Sequence, residues 1–435
     1  MQTALAYWLA MYQHQKSALN DSHSLDLPSA IASEFVRLVL AESEIRLDTT
    51  NACAEFLNTQ MQNFFARFRA NAEIAFALGS MAFKPYVSGD KILVDMVRAD
   101  RYVPTAFDSS GNATSAVFMA RKVIGKHYYT RLESHTWNAE NKTYTVENKA
   151  YCSLSDGTLG WQCDLHSIAG WEHLQELQTL TNIEKPLFAV FNIPASNTID
   201  LDSPLGVSVY AHAVNLIQEA NAQWARIQWE FRATEIAVDA SEDLFRKDTK
   251  TGKFQDLPIG NKRLFRKFSP ADNKLAEDLQ VFSPAIRDTS LFNGLNHILQ
   301  RIEFNVGLAY GTLSEPSDIE KTAEEIRASK QRSYVQVSRI QTALQNALEH
   351  LLYAMHVYAD LYELTPSGTV ELSCTWGDSV LEDTDKEFNR RLQLVTSGNL
   401  KPEKLLAWYF GCSEEEAISY LPNLSNDGGL FDGDD

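Results

Sequence analysis

The sequence is short of positive charge. Against 57 Asp and Glu it sets 39 Lys and Arg, a formal net charge of −18 at neutral pH. A protein that grips duplex DNA over most of its surface needs a basic excess to neutralise phosphates, so that class is excluded. Looser contact with DNA is not. Cysteine is sparse as well. Cys53, Cys152, Cys163, Cys374 and Cys412 are scattered and form no C-x-x-C pair. That leaves zinc and dithiol-redox chemistry without a motif and fits a reducing compartment. No apolar run reaches the roughly 18–20 residues of a membrane span. Met1 to Leu9 lack the basic segment of a signal peptide. The expectation is a soluble protein, with no membrane partner.

The chemical motifs are missing too. There is no G-x-x-x-x-G-K-[ST], H-E-x-x-H, G-x-S-x-G or G-x-G-x-x-G. Gly125-Lys126-His127 resembles the end of a phosphate loop, but Ala120 and His127 stand where Gly and Ser or Thr belong. His350 and His356 lie six residues apart and share no helix face as an i, i+4 pair would. Asp200, Asp202, Asp378, Asp383 and Asp385 could pair for catalysis or metal binding. Next to Ser, Pro and Gly they read better as turn and cap residues. The expectation is no enzyme: no catalytic residues, no metal and no cofactor.

What the chain does have is a long helical unit from Pro284 to Tyr362. Leu291, Leu295, Ile298, Ile302, Asn305 and Ala309 share one face of a first helix. Phe292, Leu299 and Val306 lie on the next. A polar break, Tyr310-Gly311-Thr312-Leu313-Ser314-Glu315-Pro316-Ser317-Asp318, follows. Then Ile326, Val337, Ile340, Leu344, Ala347, Leu348, Leu351, Leu352, Met355, Ala359 and Tyr362 recur at i, i+3, i+4, i+7. A helix of about forty-five residues would span roughly 65 Å, and a kink is expected near Ser329 to Ser333, where the stripe is thin. One subunit of this size offers too little surface to cover such helices, so further copies are expected to pack against them.

Helical spacing also marks residues 2–15, the stretch around Ile31 to Leu40, and a helix capped by Thr49 or Thr50 whose stripe includes Ala54, Phe56, Leu57, Met61, Phe64 and Phe65. These aromatics read as core. From about Ala77 to Leu205 the period shifts towards two. Short strands are predicted at 91–97, 116–120, 126–132, 142–146 and 186–191. The Asp108–Asn112 and Asn138–Asn141 turns predict hairpins and an antiparallel sheet with one polar face. Helical period returns from about Val207 to Arg232. Strand and turn follow to Ser283, and they hold the basic patch of an acidic chain: Arg246, Lys247, Lys250, Lys253, Lys262, Arg263, Arg266, Lys267 and Lys274. It reads either as a solvated loop region or as a surface for an acidic partner or a nucleic-acid backbone. A strand at 369–376 and three short helices follow, with a Ser413/Glu416 capping box and Gly398 ending the first helix. The acidic, Gly-rich tail is expected to be disordered.

The order of these elements resembles the portal proteins of tailed bacteriophages, and in particular the portal or minor capsid protein family of phages of Gram-positive bacteria. The residues that carry the resemblance are Asn197 to Ser208, Pro284-Ala285-Ile286-Arg287, Val306 to Thr312, Lys321 to Ile326 and Trp376 to Val380. At Glu324 the family more often has Thr. The resemblance implies an α+β portal fold with long stem and wing helices, a β-rich wing and a β-containing clip insert. Residues 1–76 would be N-terminal wing helices and 77–206 the β-rich wing. Residues 207–232 and 285–309 would be stem helices flanking a clip at 233–284. Residues 310–320 would be a tunnel loop and 321–364 a long wing helix. Residues 365–425 would be a wing strand and crown-like helices, and 426–435 an acidic tail.

Members of the family form rings, typically of twelve copies, around a DNA channel at one capsid vertex. The resemblance therefore implies a virion protein, assembled in the host cytoplasm, through which double-stranded DNA passes without sequence recognition. Its implied partners are the terminase large subunit, a head-completion or adaptor protein, and the major capsid and scaffold proteins. Tyr310, Gly311, Thr312, Leu313, Ser314, Glu315, Ser317 and Asp318 would face the channel. Lys262, Arg263, Arg266 and Lys267 would serve docking at the clip. The competing readings are a packaging-associated nuclease or translocase, or a capsid- or scaffold-binding subunit without a channel.

Overall fold

The structure is a computed structural model that describes residues 1–15, 24–201, 203–241, 250, 265–268, 279–315, 323–377, 384–410 and 413–421. It is α+β. The chain forms two compact units, a large one (residues 1–39 and 45–374) and a small one (residues 40–44 and 375–435).

The core of the large unit is built on one helix. After α1 (Gln2–Tyr12) and α2 (Leu27–Leu40), β1 (Glu44–Leu47) leads to α3 (Ala52–Leu78). The cap of α3 is Asn51, not Thr49 or Thr50. Its side chain accepts a bond from the Ala54 amide at 2.9 Å and donates to the Thr369 carbonyl at 2.8 Å. Of the stripe expected from sequence, Ala54, Leu57, Met61, Phe64 and Phe65 are buried and Phe56 is half-buried; Phe68 and Phe76 are buried as well. The stripe lies on a three-stranded sheet in the order β10 (Ala189–Asn192), β2 (Ser80–Ser88), β3 (Lys91–Arg98). Phe64 meets Phe83 edge-on at 5.0 Å, and Phe68 meets Phe83 at 5.4 Å and Phe191 at 6.3 Å. Such pairs add about 0.5–1.5 kcal/mol each beyond area burial.

The backbone runs unusually close where α3 turns into β2. Gly79 adopts φ +82°, and a Cβ there would fall 2.2 Å from the Val207 carbonyl carbon. A Cβ on Gly206 would fall 2.1 Å from the Gly79 oxygen. Two glycines let the two chain segments cross, and the Gly79 carbonyl takes the Ile193 amide at 2.9 Å.

A second, larger sheet runs β4 (Tyr102–Phe107), β5 (Ala113–Ile124), β6 (His127–Asn138), β7 (Thr143–Ser153), β8 (Trp161–Cys163), with β9 (Leu177–Thr181) also on β7; every pair is antiparallel. The Asp108–Asn112 and Asn138–Asn141 turns are hairpins, as expected. The strands are not short: β5 and β6 have twelve residues each. Nor is the polar face all wet. Arg131, Glu133 and His135 alternate along one face of β6, and Glu133 draws Lys84 at 2.6 Å, Arg131 at 2.8 Å and His135 at 2.9 Å. Burial alone would raise the Glu133 pKa. The His135 hydrogen bond and the Lys84 and Arg131 charges outweigh it and hold the carboxyl well below its usual range. Burial lowers the His135 pKa. The neutral ring then donates from Nε2 to Glu133 and accepts the Tyr144 hydroxyl at Nδ1.

Residues 207–210 do not begin the next helix, and a 3-10 turn at Ala211–Ala213 leads into it. Val209 donates to the Phe76 carbonyl and the Tyr210 hydroxyl to the Trp8 carbonyl, so residues 207–210 pack onto α3 and α1 instead. The helix α4 is Val214–Ala233. The inserted sheet has the order β12 (Phe265–Phe268), β11 (Ala237–Ser241), β13 (Leu279–Phe282), with β12 parallel to β11. Then come α5 (Asp288–Val306), α6 (Ala323–Leu361) and β14 (Leu372–Thr375), which pairs with β1. The helix α6 runs unbroken through residues 329–333. Its expected stripe from Val337 to Ala359 is buried, and it packs on β2 and β10. Tyr362, just past its end, is 47% exposed.

The small unit holds α7 (Thr384–Thr396), α8 (Pro402–Phe410) and α9 (Glu414–Ile418). Ser413 caps α9 through the Glu416 amide, and Gly398 follows α7 at φ +72°. Phe388, Tyr409, Phe410 and Tyr420 pack ring to ring, and Arg391 lies over Trp408 at 4.4 Å. The tail beyond residue 421 lies outside the described residues.

Candidate functional site

The helices α4 and α5 form an antiparallel hairpin. At one end the Asn305 amide reaches the His212 carbonyl at 3.4 Å. Further along, Gln223 bonds the Leu291 carbonyl at 3.1 Å and Phe231 meets Phe292 at 6.3 Å. At the other end Arg287 grips Glu230 with two bonds, at 3.0 and 2.7 Å. The inserted sheet leaves and re-enters the hairpin at this clamp. The loop joining α5 to α6 leaves from the opposite end.

That loop is more ordered than a polar stretch implies. Gly307 ends α5 at φ +84°, where its amide and that of Leu308 both return to the Glu303 carbonyl. Leu308 is fully buried. The chain then folds back along α5. The Glu303 side chain, itself 0% exposed, accepts four bonds from the loop. Its Oε1 takes the Leu313 amide at 2.6 Å and the Ser314 amide at 2.8 Å; its Oε2 takes the Ser314 hydroxyl at 2.8 Å and the Gly311 amide at 3.3 Å. Two turns upstream, Asn296 exchanges bonds with residue 315, accepting the Glu315 amide at 2.8 Å and donating to its carbonyl at 3.3 Å. From α6, the Arg332 guanidinium lies 4.4 Å from the Phe304 ring and 5.6 Å from the Tyr310 ring, stacking on both.

The loop residues named from sequence therefore divide. Tyr310, Gly311, Thr312 and Glu315 are exposed, Leu313 is half-buried, and Ser314 is turned inward with 5% exposure. Ser317 and Asp318 lie outside the described residues. Of the docking residues, Lys262 and Arg263 lie outside them too. Arg266 and Lys267 sit on β12 at its pairing with Asp239 and Ala240 of β11. Asp200 is exposed in a loop stapled by Asn197, whose side chain bonds four backbone groups between residues 199 and 205. Asp202, Asp378 and Asp383 are not described.

Glu303, Asn296 and Arg332 escaped the sequence reading. The signal for Glu303 was there: a carboxylate inside the apolar stripe Leu295, Ile302, Val306, four residues before a helix-ending glycine.

A cavity of about 520 Å³ lies between α1 and the larger sheet, lined mostly by apolar side chains such as Leu5, Leu9, Val117 and Leu132. The carboxylate on its wall, Asp100, is held by two bonds from Arg98. Among the described residues no group of three His, Cys, Asp or Glu is placed to hold a metal ion. No helix among them is long and apolar enough to cross a membrane.

These elements make an α+β chain with a helical hairpin that carries an inserted sheet at one end and a pinned loop at the other. The family model for phage portal protein, SPP1 Gp6-like, matches residues 10–421, and the chain belongs to that family. No curated protein matches it. As a portal protein it is a component of the phage virion, with a part in DNA packaging and virion assembly, and its family is in general structural, not enzymatic.

Proposed function

We propose that this chain is the subunit of a ring that forms the DNA channel at one capsid vertex. One observation carries the reading. The hairpin leaves large apolar side chains uncovered, with Trp229 65% exposed, Phe231 42% and Phe292 40%. Among the described residues nothing covers them, and neighbours in a closed ring would.

In this reading α4 and α5 are the stem, the inserted sheet is the clip, and the loop after α5 is the tunnel loop. The larger sheet and α6 belong to the wing, and α7 to α9 are the crown-like helices. Twelve copies close the ring. The terminase large subunit docks at the clip, a head-completion or adaptor protein follows it there, and capsid and scaffold proteins meet the wing. Assembly takes place in the host cytoplasm. A net charge of −18 suits a conduit, because each cation–phosphate contact would add affinity and hence friction to sliding DNA.

Negative-stain microscopy of the purified protein should show rings with a central hole wide enough for duplex DNA. Monomers, or shells without a hole, would overturn the reading, and ATP hydrolysis by the isolated protein would favour an enzyme instead. Reversing the charges of Lys262, Arg263, Arg266 and Lys267 should impair packaging and leave rings intact; unchanged packaging would remove these residues from docking.

A further inference from the structure

We propose that Glu303 is a positioning residue that fixes the root of the α5–α6 loop and so selects which loop side chains meet passing DNA. The second half of this statement rests on the channel reading above; the first half does not.

A carboxylate side chain has two oxygens, about four acceptor sites in all. In Glu303 all four are used, and all by residues 311–314 of one loop. Three of the donors are backbone groups, so the bonds define the path of the chain and not merely the rotamer of one side chain. Being fully buried, the carboxylate has no water to fall back on. The loop's other attachments agree in register. Asn296 holds residue 315 seven residues upstream on α5, which is two helical turns, and Arg332 holds Tyr310 from α6. Residues 307–315 are thus docked along α5 over their whole length. In this pose the Ser314 hydroxyl points at Glu303, while Thr312 and Glu315 are exposed. Presented from a ring, the pinned root offers the channel the Tyr310 ring, the Thr312 side chain and the Glu315 carboxylate in each copy. Residues 310–315 themselves carry no cationic side chain to hold a phosphate. Were the root free, the Ser314 side chain and the loop amides could turn outward and bond phosphate oxygens.

The test is amide hydrogen exchange on assembled rings of the wild type, Glu303→Ala and Glu303→Gln, followed by thiol labelling. In the wild type the amides of Gly311, Leu313 and Ser314 should be protected although they lie in a loop. In Glu303→Ala they should exchange about ten- to a hundred-fold faster, the loss of hydrogen bonds to a charged acceptor. Glu303→Gln keeps one acceptor oxygen in place, so Leu313 and Ser314 should retain most of their protection while Gly311 loses some. A purely structural effect would speed all three alike. Thr312→Cys should react readily with a maleimide in the ring, and it should crosslink to DNA stalled in packaging. Fast exchange of these amides in the wild type overturns the latch, and that measurement needs no variant to fold. Unchanged protection in Glu303→Ala overturns it as well. Protected amides with no crosslink from Thr312→Cys would leave the latch standing and remove the loop root from the channel.

Discussion

Glu133 sits where burial opposes its charge, and three partners from two strands keep it ionised. Removing one member of a buried ionic network costs more than the network is worth, because the remaining charges are stranded. Glu133→Gln should therefore lower the unfolding free energy by about 3 kcal/mol, read by urea denaturation; a loss below about 1 kcal/mol would mean that water already screens Lys84 and Arg131. His135 and His350 behave differently. Burial lowers both pKa values, and the His350 Nε2 donates to the Pro186 carbonyl at 2.8 Å. The unfolded chain protonates such residues below about pH 6.5, while the folded chain resists. Stability is therefore full above that value and falls as pH drops from about 6.5 towards the lower folded pKa. His350→Gln keeps a donor for the carbonyl and loses a titration, so its melting temperature should fall less between pH 6.5 and 5.5 than that of the wild type. Equal slopes would exclude His350 as a source of acid sensitivity. None of this was legible in advance. Arg131-x-Glu133-x-His135 alternates as a wet face would, and only the approach of Lys84 from another sheet turns it into a buried network.

At the scale of elements, much of the fold could be read where one period dominates. The stripe from Val337 to Ala359 gave α6, and the Asp108–Asn112 and Asn138–Asn141 turns gave the hairpins, because both signals are local. Strand β2 was lost for a physical reason. Its first six residues are all buried, so there is no alternation to detect, and it continues directly from the helical pattern of α3. The loop after α5 was located correctly by its polar residues, but its docking was hidden, since Glu303 reaches eight to eleven residues ahead. The start of α4 was misjudged because Val207 to Tyr210 carry apolar residues that serve α1 and α3. Two changes probe these junctions. Asn51→Ala removes the α3 cap and its tie to Thr369, and should cost about 1 kcal/mol. Gly206→Ala forces a Cβ onto the Gly79 carbonyl and should cost about 2 kcal/mol or more. Thermal unfolding ranks the two, and a Gly206→Ala protein as stable as the wild type would mean that the crossing can open without penalty.

For the whole molecule the question is what covers the hairpin. If ring neighbours do, Trp229→Glu should shift the protein from rings towards free subunits in light scattering while its circular dichroism stays unchanged. Rings of undiminished population would place Trp229 outside the interface. The pairing pattern also bears on how a subunit reaches the state in which it can assemble. Strands β4 to β8 pair with their neighbours in sequence, and each ladder closes through a short turn. Strand β10 must find β2, with Ala189 opposite Phe83, across more than a hundred intervening residues. Local pairings form early and distant ones late, because loop closure must precede the reward. Phe191, which meets Phe68 and Phe76 only once β10 has docked, should therefore be among the last aromatics to leave water during refolding. A newly made chain would pass through a stage with its larger sheet complete and its α3 core still open, exposed to whatever other chains are nearby.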